Sequence, residues 1–168
     1  MVAPPSRRII LMRHAKSSWK SGAPTDHERP LNKRGRRDAP KVGAELARLG
    51  WVPEQTLSSD SSRTVETFAR MKTSLGFEAP PAFLPDLYHA GIDEVRDALC
   101  GVPASVSTVL LLGHNPGWEE TLLWLSGHDA PMKTGTAALL SRVAGSWEEA
   151  VGARGGWSLS SIIYPREL

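Results

Sequence analysis

Arg8-Ile9-Ile10-Leu11-Met12-Arg13-His14 is the stretch that decides the fold. Ile9 to Met12 is an unbroken β-prone apolar run bounded by charge, without the polar alternation of a strand that has one wet face. Such a run reads as a strand buried on both sides, which places it centrally in a parallel sheet. Thr108 to Leu112 is a second run of this kind and leads into Gly113-His114.

Working outward, residues 15 to 32 mix Ser, Gly, Pro and charge without periodicity and read as a long loop of the sort that often carries function. Ala39, Val42, Leu46 and Leu49 recur at helical spacing before Gly50. Pro40 suits the first turn of this helix if Asp38 is the N-cap, but would kink a helix begun at Asn32; both starts stay open. Gln55 to Ser59 predicts a short strand. A helix follows it, with Asp60 or Ser61 as N-cap and Val65, Phe68, Met71 and Leu75 on one face. Ala79 to Pro85 is irregular, and Ile92, Val95 and Leu99 predict a short helix ending at Gly101. Pro116-Gly117 opens a helix with Thr121, Leu122, Trp124 and Leu125, of which Trp124 is read as core. Strands at Ala137 to Val143 and Trp157 to Tyr164 flank a Gly-rich loop. Alternating strands and helices predict one domain across residues 1–168, of three-layer α/β/α class with a central, mostly parallel sheet.

The composition narrows the function classes. Cys100 is the single cysteine, so neither an internal disulfide framework nor a multi-cysteine metal site is expected. No apolar run reaches the eighteen or so residues of a membrane span. The start of the chain has too short an apolar run for a signal-peptide core, so a cytoplasmic location without membrane attachment is expected. The net charge of +2 conceals an asymmetry, because residues 1–50 carry 12 Lys plus Arg against 4 Asp plus Glu. Positive potential is thus concentrated around the first strand, where an anionic ligand is plausible.

Open α/β sheets bind ligands beyond the carboxyl ends of their strands. Arg13-His14 follows the first strand, Arg63 opens the helix after the second, and His114-Asn115-Pro116 follows the third. Two guanidiniums bind phosphate bidentately, and neutral imidazole is a competent nucleophile near neutral pH. His14 is therefore the candidate nucleophile toward phosphorus, with Arg13, Arg63 and His114 around the phosphoryl group. Lys16 and Arg29, loop cations beside Arg13, are candidates for contacting a phosphorylated substrate. Trp19, in the same loop, is a candidate for lining the mouth of the pocket.

Leu11-Met12-Arg13-His14-Ala15-Lys16-Ser17 resembles the N-terminal Arg-His motif of the histidine phosphatase superfamily. Three further segments are similar to motifs of its SixA-like branch of small phosphohistidine phosphatases. They are Asp26 to Gly35, Leu57-Ser58-Ser59-Asp60-Ser61-Ser62-Arg63-Thr64 and Gly113-His114-Asn115-Pro116. The resemblance implies a phosphoglycerate mutase-like fold and no cofactor. It implies His14 as the phosphorylated residue, Arg13 and Arg63 on the phosphoryl oxygens and His114 as transition-state stabiliser. Ser17 and Asn115, by their places in the motifs, are expected to add substrate contacts. Relatives usually have Ser-Ser-Pro-Ala where this chain has Ser59-Asp60-Ser61, and a carboxylate there would weaken anion binding. Many members supply a general acid after the middle of the chain. Asp86 in Pro85-Asp86-Leu87-Tyr88 is the nearest candidate here, although SixA-like proteins have no evident dedicated acid.

Other readings compete with this one. A mutase or small-metabolite phosphatase of the same superfamily would need an unambiguous acid and substrate insertions, and a non-catalytic phosphate-binding module would not need the full Arg-His, Arg, His set. Lys33-Arg34-Gly35-Arg36-Arg37 is read as a solvated face rather than a nucleic-acid site, since interleaved aromatics are missing. His27, His89 and His128 have no ligand-like spacing, so no metal is expected and they are read as surface residues. The expected partner is a phosphorylated protein or a small phosphorylated molecule. Nothing in the sequence sets the oligomeric state.

Overall fold

The computed structural model describes residues 5–168. In chain order the elements are β1 (Ser6–Arg13), α1 (Lys33–Arg48), β2 (Gln55–Ser58), α2 (Ser62–Leu75), β3 (Ala82–Phe83), α3 (Ile92–Cys100), β4 (Thr108–Gly113), α4 (Gly117–Ser126), β5 (Ala137–Val143), α5 (Trp147–Ala150) and β6 (Ser158–Ile163). Short 3₁₀ turns lie at Pro85–Leu87 and Pro165–Glu167. The signal-peptide reading falls in part on residues 1–4, outside the described residues.

One sheet runs in the order β3-β2-β4-β1-β5-β6. β1, β2, β3 and β4 are mutually parallel, and β5 is antiparallel to both its neighbours, β1 and β6. The sheet is thus mixed but mostly parallel, and the apolar run of β1 lies between β4 and β5 as its continuous hydrophobicity demands. Alternate residues of β1 serve opposite cores. Ile9 and Leu11 pack with Val95, Leu99, Trp118 and Leu122 from α3 and α4, while Ile10 and Met12 pack with Val42, Leu46, Phe68 and Met71 from α1 and α2. All four of these β1 side chains are fully buried. Helices therefore cover both faces, which makes three α/β/α layers.

Register places the site. Arg13 pairs with Gly113 and Ser58 with Leu112, so the carboxyl ends of β1, β4 and β2 finish side by side. The chain continues this alignment past the strands, with the His14 amide donating to the Gly113 carbonyl at 3.0 Å and the Ser59 amide to the Leu112 carbonyl at 3.0 Å.

One open boundary is settled and three local expectations are revised. The cap of α1 is Asn32, whose side chain accepts from the Gly35 amide at 2.9 Å, so the helix starts at the earlier of the two open positions and holds Pro40 in its interior. The hydrogen bond Pro40 cannot donate is outweighed by packing, since α1 lies along α2 and the Pro40 carbonyl accepts from the Ser74 hydroxyl at 2.7 Å. On α2, Val65 is exposed while Arg63, Thr64 and Thr67 are buried, because Arg63 turns inward and draws its polar neighbours with it. Trp124 is half-buried, packed against the core edge under Arg96. The Gly-rich loop holds α5, capped by the Ser146 hydroxyl and seated on buried Trp147.

Candidate active site

Beyond the aligned strand ends, Arg13, His14, Arg63 and His114 share one buried crevice. His14 and His114 are each about 5–6% exposed, with ring centroids 5.1 Å apart. The loop after β1 is clamped to the first turn of α2, because the Ala15 amide donates to the Thr67 hydroxyl, which donates to the Arg63 carbonyl. Helix α2 itself is capped by Ser61, whose hydroxyl accepts from the Thr64 amide. These bonds aim Arg63 at the end of β1.

The tautomers follow from the partners. His14 Nδ1 lies 2.7 Å from the Ala15 carbonyl, and a carbonyl only accepts, so Nδ1 carries the proton and Nε2 keeps its lone pair. His114 Nε2 donates to the Ser59 hydroxyl at 2.9 Å, and its Nδ1 faces Arg63 Nη2 at 3.5 Å, a group that can only donate. Burial, followed by the charges of Arg63, Arg13 and Arg29, pushes His14 down to about 3 against the lift from Ala15. His114 is also pushed down to about 3, first by burial and then by His14, Arg63 and His89. Both rings are neutral at ordinary pH.

Each guanidinium is anchored at one end. Arg13 Nη1 donates to the Met132 carbonyl at 3.0 Å, and Arg63 Nη1 to the Asp26 carbonyl at 2.6 Å. Arg13 Nε and Arg63 Nε are buried donors without a protein partner. Buried unpaired donors are costly, and two on adjacent guanidiniums suit an anion.

Asp26 organises the rim. Its carboxylate accepts from the Tyr88 hydroxyl at 2.5 Å, from Arg63 Nη2 at 3.2 Å and from Arg29 Nη2 at 3.1 Å. Tyr88, then Arg29 and Arg63, hold this carboxyl well below the usual carboxylate range, so it stays ionised. Burial and the neighbouring Asp26 push the Tyr88 hydroxyl up.

The remaining expected residues are placed unevenly. Arg29 reaches the rim, donating to Asp26 and to the Ser17 hydroxyl and stacking 3.6 Å over the Trp19 ring. Trp19 itself is 76% exposed at the loop surface. Ser17 is buried with its oxygen occupied by Arg29, so it supports the rim rather than facing the crevice. Lys16 is half-buried, and its side chain has no hydrogen-bond partner among the described residues. Asn115 spends its amide protons on Glu119 Oε1 at 3.0 Å and the Met132 carbonyl at 2.8 Å, which makes it a brace. Asp60 is paired with His27 Nε2 at 2.8 Å, which commits that carboxylate to a neighbouring ring and leaves the capping to Ser61. The same pair makes His27 a half-exposed partner rather than an idle surface residue.

Asp86 is not part of the cluster. Leu87 is buried by the 3₁₀ turn, which turns Asp86 outward to line a different cavity with Glu94 and Asp97. Asp26, Tyr88, Ser59 and Thr67 are the participants to which sequence reasoning gave no role, whereas Ser61 is the helix cap it offered beside Asp60. Ser59 had a signal, the polar run that directly follows a buried strand. Among the described residues no group of three or more His, Cys, Asp or Glu side chains is disposed to hold a metal, and no helix is long and apolar enough to cross a membrane.

Fold and site together describe a three-layer α/β protein in which two arginines and two histidines share one buried crevice. Residues 9–95 match the histidine phosphatase superfamily (branch 1). An uncharacterised chloroplastic protein of Arabidopsis thaliana is 43% identical over 171 residues, covering 95% of this chain and 78% of that protein. The chain belongs to the histidine phosphatase superfamily. A putative phosphohistidine phosphatase SixA from Nakamurella multipartitia superposes with a TM-score of 0.81 at 29% identity, covering 98% of this chain and 99% of that one. This places the chain in the SixA-like branch. A phosphoglycerate mutase from Bacillus anthracis shares the fold, with a TM-score of 0.61 at 14% identity over 88% of this chain and 96% of that one.

Proposed function

We propose that the chain is a phosphatase that works through a covalent phosphohistidine on His14 and acts on phosphohistidine in proteins. The observation that carries this reading is the state of His14. Its Nδ1 proton is committed to the Ala15 carbonyl, its Nε2 lone pair is unprotonated, and the guanidiniums beside it have unspent Nε donors. The nucleophile needs no base, because burial and neighbouring cations keep it neutral. Arg13 and Arg63 take the phosphoryl oxygens, and His114 stabilises the charge that builds during in-line transfer. Water then hydrolyses the phosphoryl-His14 bond.

The charge state of Asp26 supports the choice of substrate class. Asp26 is the carboxylate nearest the cluster, and three donors hold it ionised, so it supplies no proton to a departing alkoxide. An imidazole leaves without such help, and transfer from one imidazole to another is nearly thermoneutral. Phosphoramidates therefore suit the site better than serine phosphates.

Rapid quenching with a radiolabelled phosphohistidine protein tests both parts. The expected result is an acid-labile, base-stable label on the wild-type chain that His14→Ala abolishes. A label that persists in His14→Ala refutes the nucleophile, and faster turnover of a phosphoserine peptide than of a phosphohistidine peptide refutes the substrate class.

A further inference from the structure

A cavity of about 290 Å³ opens beside His114, lined by His89, Gly91, His114, Asn115, Gly117 and Glu120. Its back wall is bare backbone, since a Cβ on Gly117 would stand 1.7 Å from the Ala90 carbonyl oxygen. His89 has φ 58, in the left-handed region that side-chain-bearing residues seldom enter, and its ring lies 3.9 Å from that of Tyr88. Strain of this kind is kept where surrounding structure over-determines it, often at ligand sites.

The acids around this cavity are not equivalent. Glu119 is committed to Asn115 Nδ2 and the Met132 amide, and Glu94 to the Gly91 amide at 3.2 Å. The exposed Glu120 carboxylate has no hydrogen bond or ion pair among the described residues; it lines the cavity, with its Oε2 4.0 Å from where a Cβ on Gly91 would stand. The crevice next door, by contrast, offers buried arginine donors. Donors for a phosphoryl group therefore adjoin an acceptor that no protein group uses.

We infer that this cavity receives the leaving group and that Glu120 is a specificity-determining residue, accepting a hydrogen bond from the N–H of a departing imidazole. The inference rests on the phosphohistidine reading and deepens it. In the reactive substrate, one ring nitrogen carries phosphorus and the other a proton. His14 Nε2 donates its lone pair to phosphorus, the substrate P–N bond breaks, and its electron pair returns to the ring. The ring departs neutral, keeping its N–H on Glu120, while phosphorylated His14 keeps its Nδ1 proton on the Ala15 carbonyl. No proton changes hands, so the step requires no general acid. Glu120 does for the substrate ring what the Ala15 carbonyl does for His14.

The test compares kcat/KM for a phosphohistidine peptide with that for p-nitrophenyl phosphate, whose phenolate has no N–H to offer. In Glu120→Ala the ratio of the two should fall about tenfold, the loss expected for one hydrogen bond to a charged group, and Glu120→Asp should restore part of it. The p-nitrophenyl phosphate arm also reports whether each variant is folded. Equal losses on both substrates, or an unchanged ratio, overturn the role of Glu120 while leaving the phosphohistidine reading intact. A wild-type chain that hydrolyses p-nitrophenyl phosphate but not the phosphohistidine peptide overturns the parent reading and this inference with it.

Discussion

Lowering the pH from about 7.5 to about 4.5 should cost the fold about 5 kcal/mol through His14 and His114 alone. Each imidazole is held at about 3, against 6.5 for an unperturbed histidine, with burial as the largest cause. The unfolded chain therefore takes up protons that the folded chain refuses. Stability is full above about pH 6.5 and declines as the pH falls toward the folded values. Two units below the unfolded value, each ring contributes roughly 3 kcal/mol, because one unit corresponds to about 1.4 kcal/mol. The rings stand 5.1 Å apart and titrate as a pair, so the loss belongs to both together. Asp26 acts in the same direction but at lower pH. Its carboxyl is held below the usual range, so its contribution is lost only as the pH falls beneath the unfolded carboxylate value. Urea unfolding at pH steps across this window measures the slope, which should approach two protons taken up on unfolding. His14→Asn should roughly halve that slope, and His14→Asn with His114→Asn should flatten it. A wild-type unfolding free energy that stays level to within about 1 kcal/mol over the window would refute the burial of two neutral imidazoles.

Three other perturbations test separate parts of the structure. Arg63→Ala removes a guanidinium whose Nε is an unspent buried donor, and kcat/KM should drop at least about a hundredfold, as for loss of one preorganised charge stabiliser. Ser59→Ala deletes the acceptor 2.9 Å from His114 Nε2, and steady-state kinetics should show kcat falling about three- to tenfold, the worth of one buried hydrogen bond. Arg7→Met strips donors from the carbonyls of Ala104, Val106, Ala144 and Gly145, far from the crevice. It should lower stability by about 3 kcal/mol and Tm by about 10 °C in a calorimetric scan, with kcat/KM of the folded enzyme retained.

Every strand but the two-residue β3, which falls in a stretch read as irregular, was legible, as were the four principal site residues, because these rest on local signals. Continuous apolar runs announce buried strands, and in an α/β sheet the residues just past such strands converge whatever the loops between them do. Arg13-His14, Arg63 and His114 all hold that position. The rim residues carried no such signal. Asp26 meets Tyr88 across 62 residues and Arg63 across 37, separations that no local period encodes. Asp86 misled for the converse reason, since two positions separate it from Tyr88 but burial of Leu87 turns it outward. Pro40 left two helix starts open, and the structure, with α1 packed on α2, takes the earlier one.

By itself, the sequence determined the layers, the central strand and the identity of the four side chains that meet beyond the strand ends, because these follow from hydrophobic continuity and strand order. Tertiary structure alone decided how those groups are charged and held. Burial makes both histidines neutral, the Ala15 carbonyl selects the tautomer of His14, and Asp26 is locked ionised by nearby Arg29 together with Tyr88 and Arg63 from distant segments. Protonation and hydrogen bonding depend on dielectric surroundings and on partners a few ångströms away, and those exist only once the chain has folded.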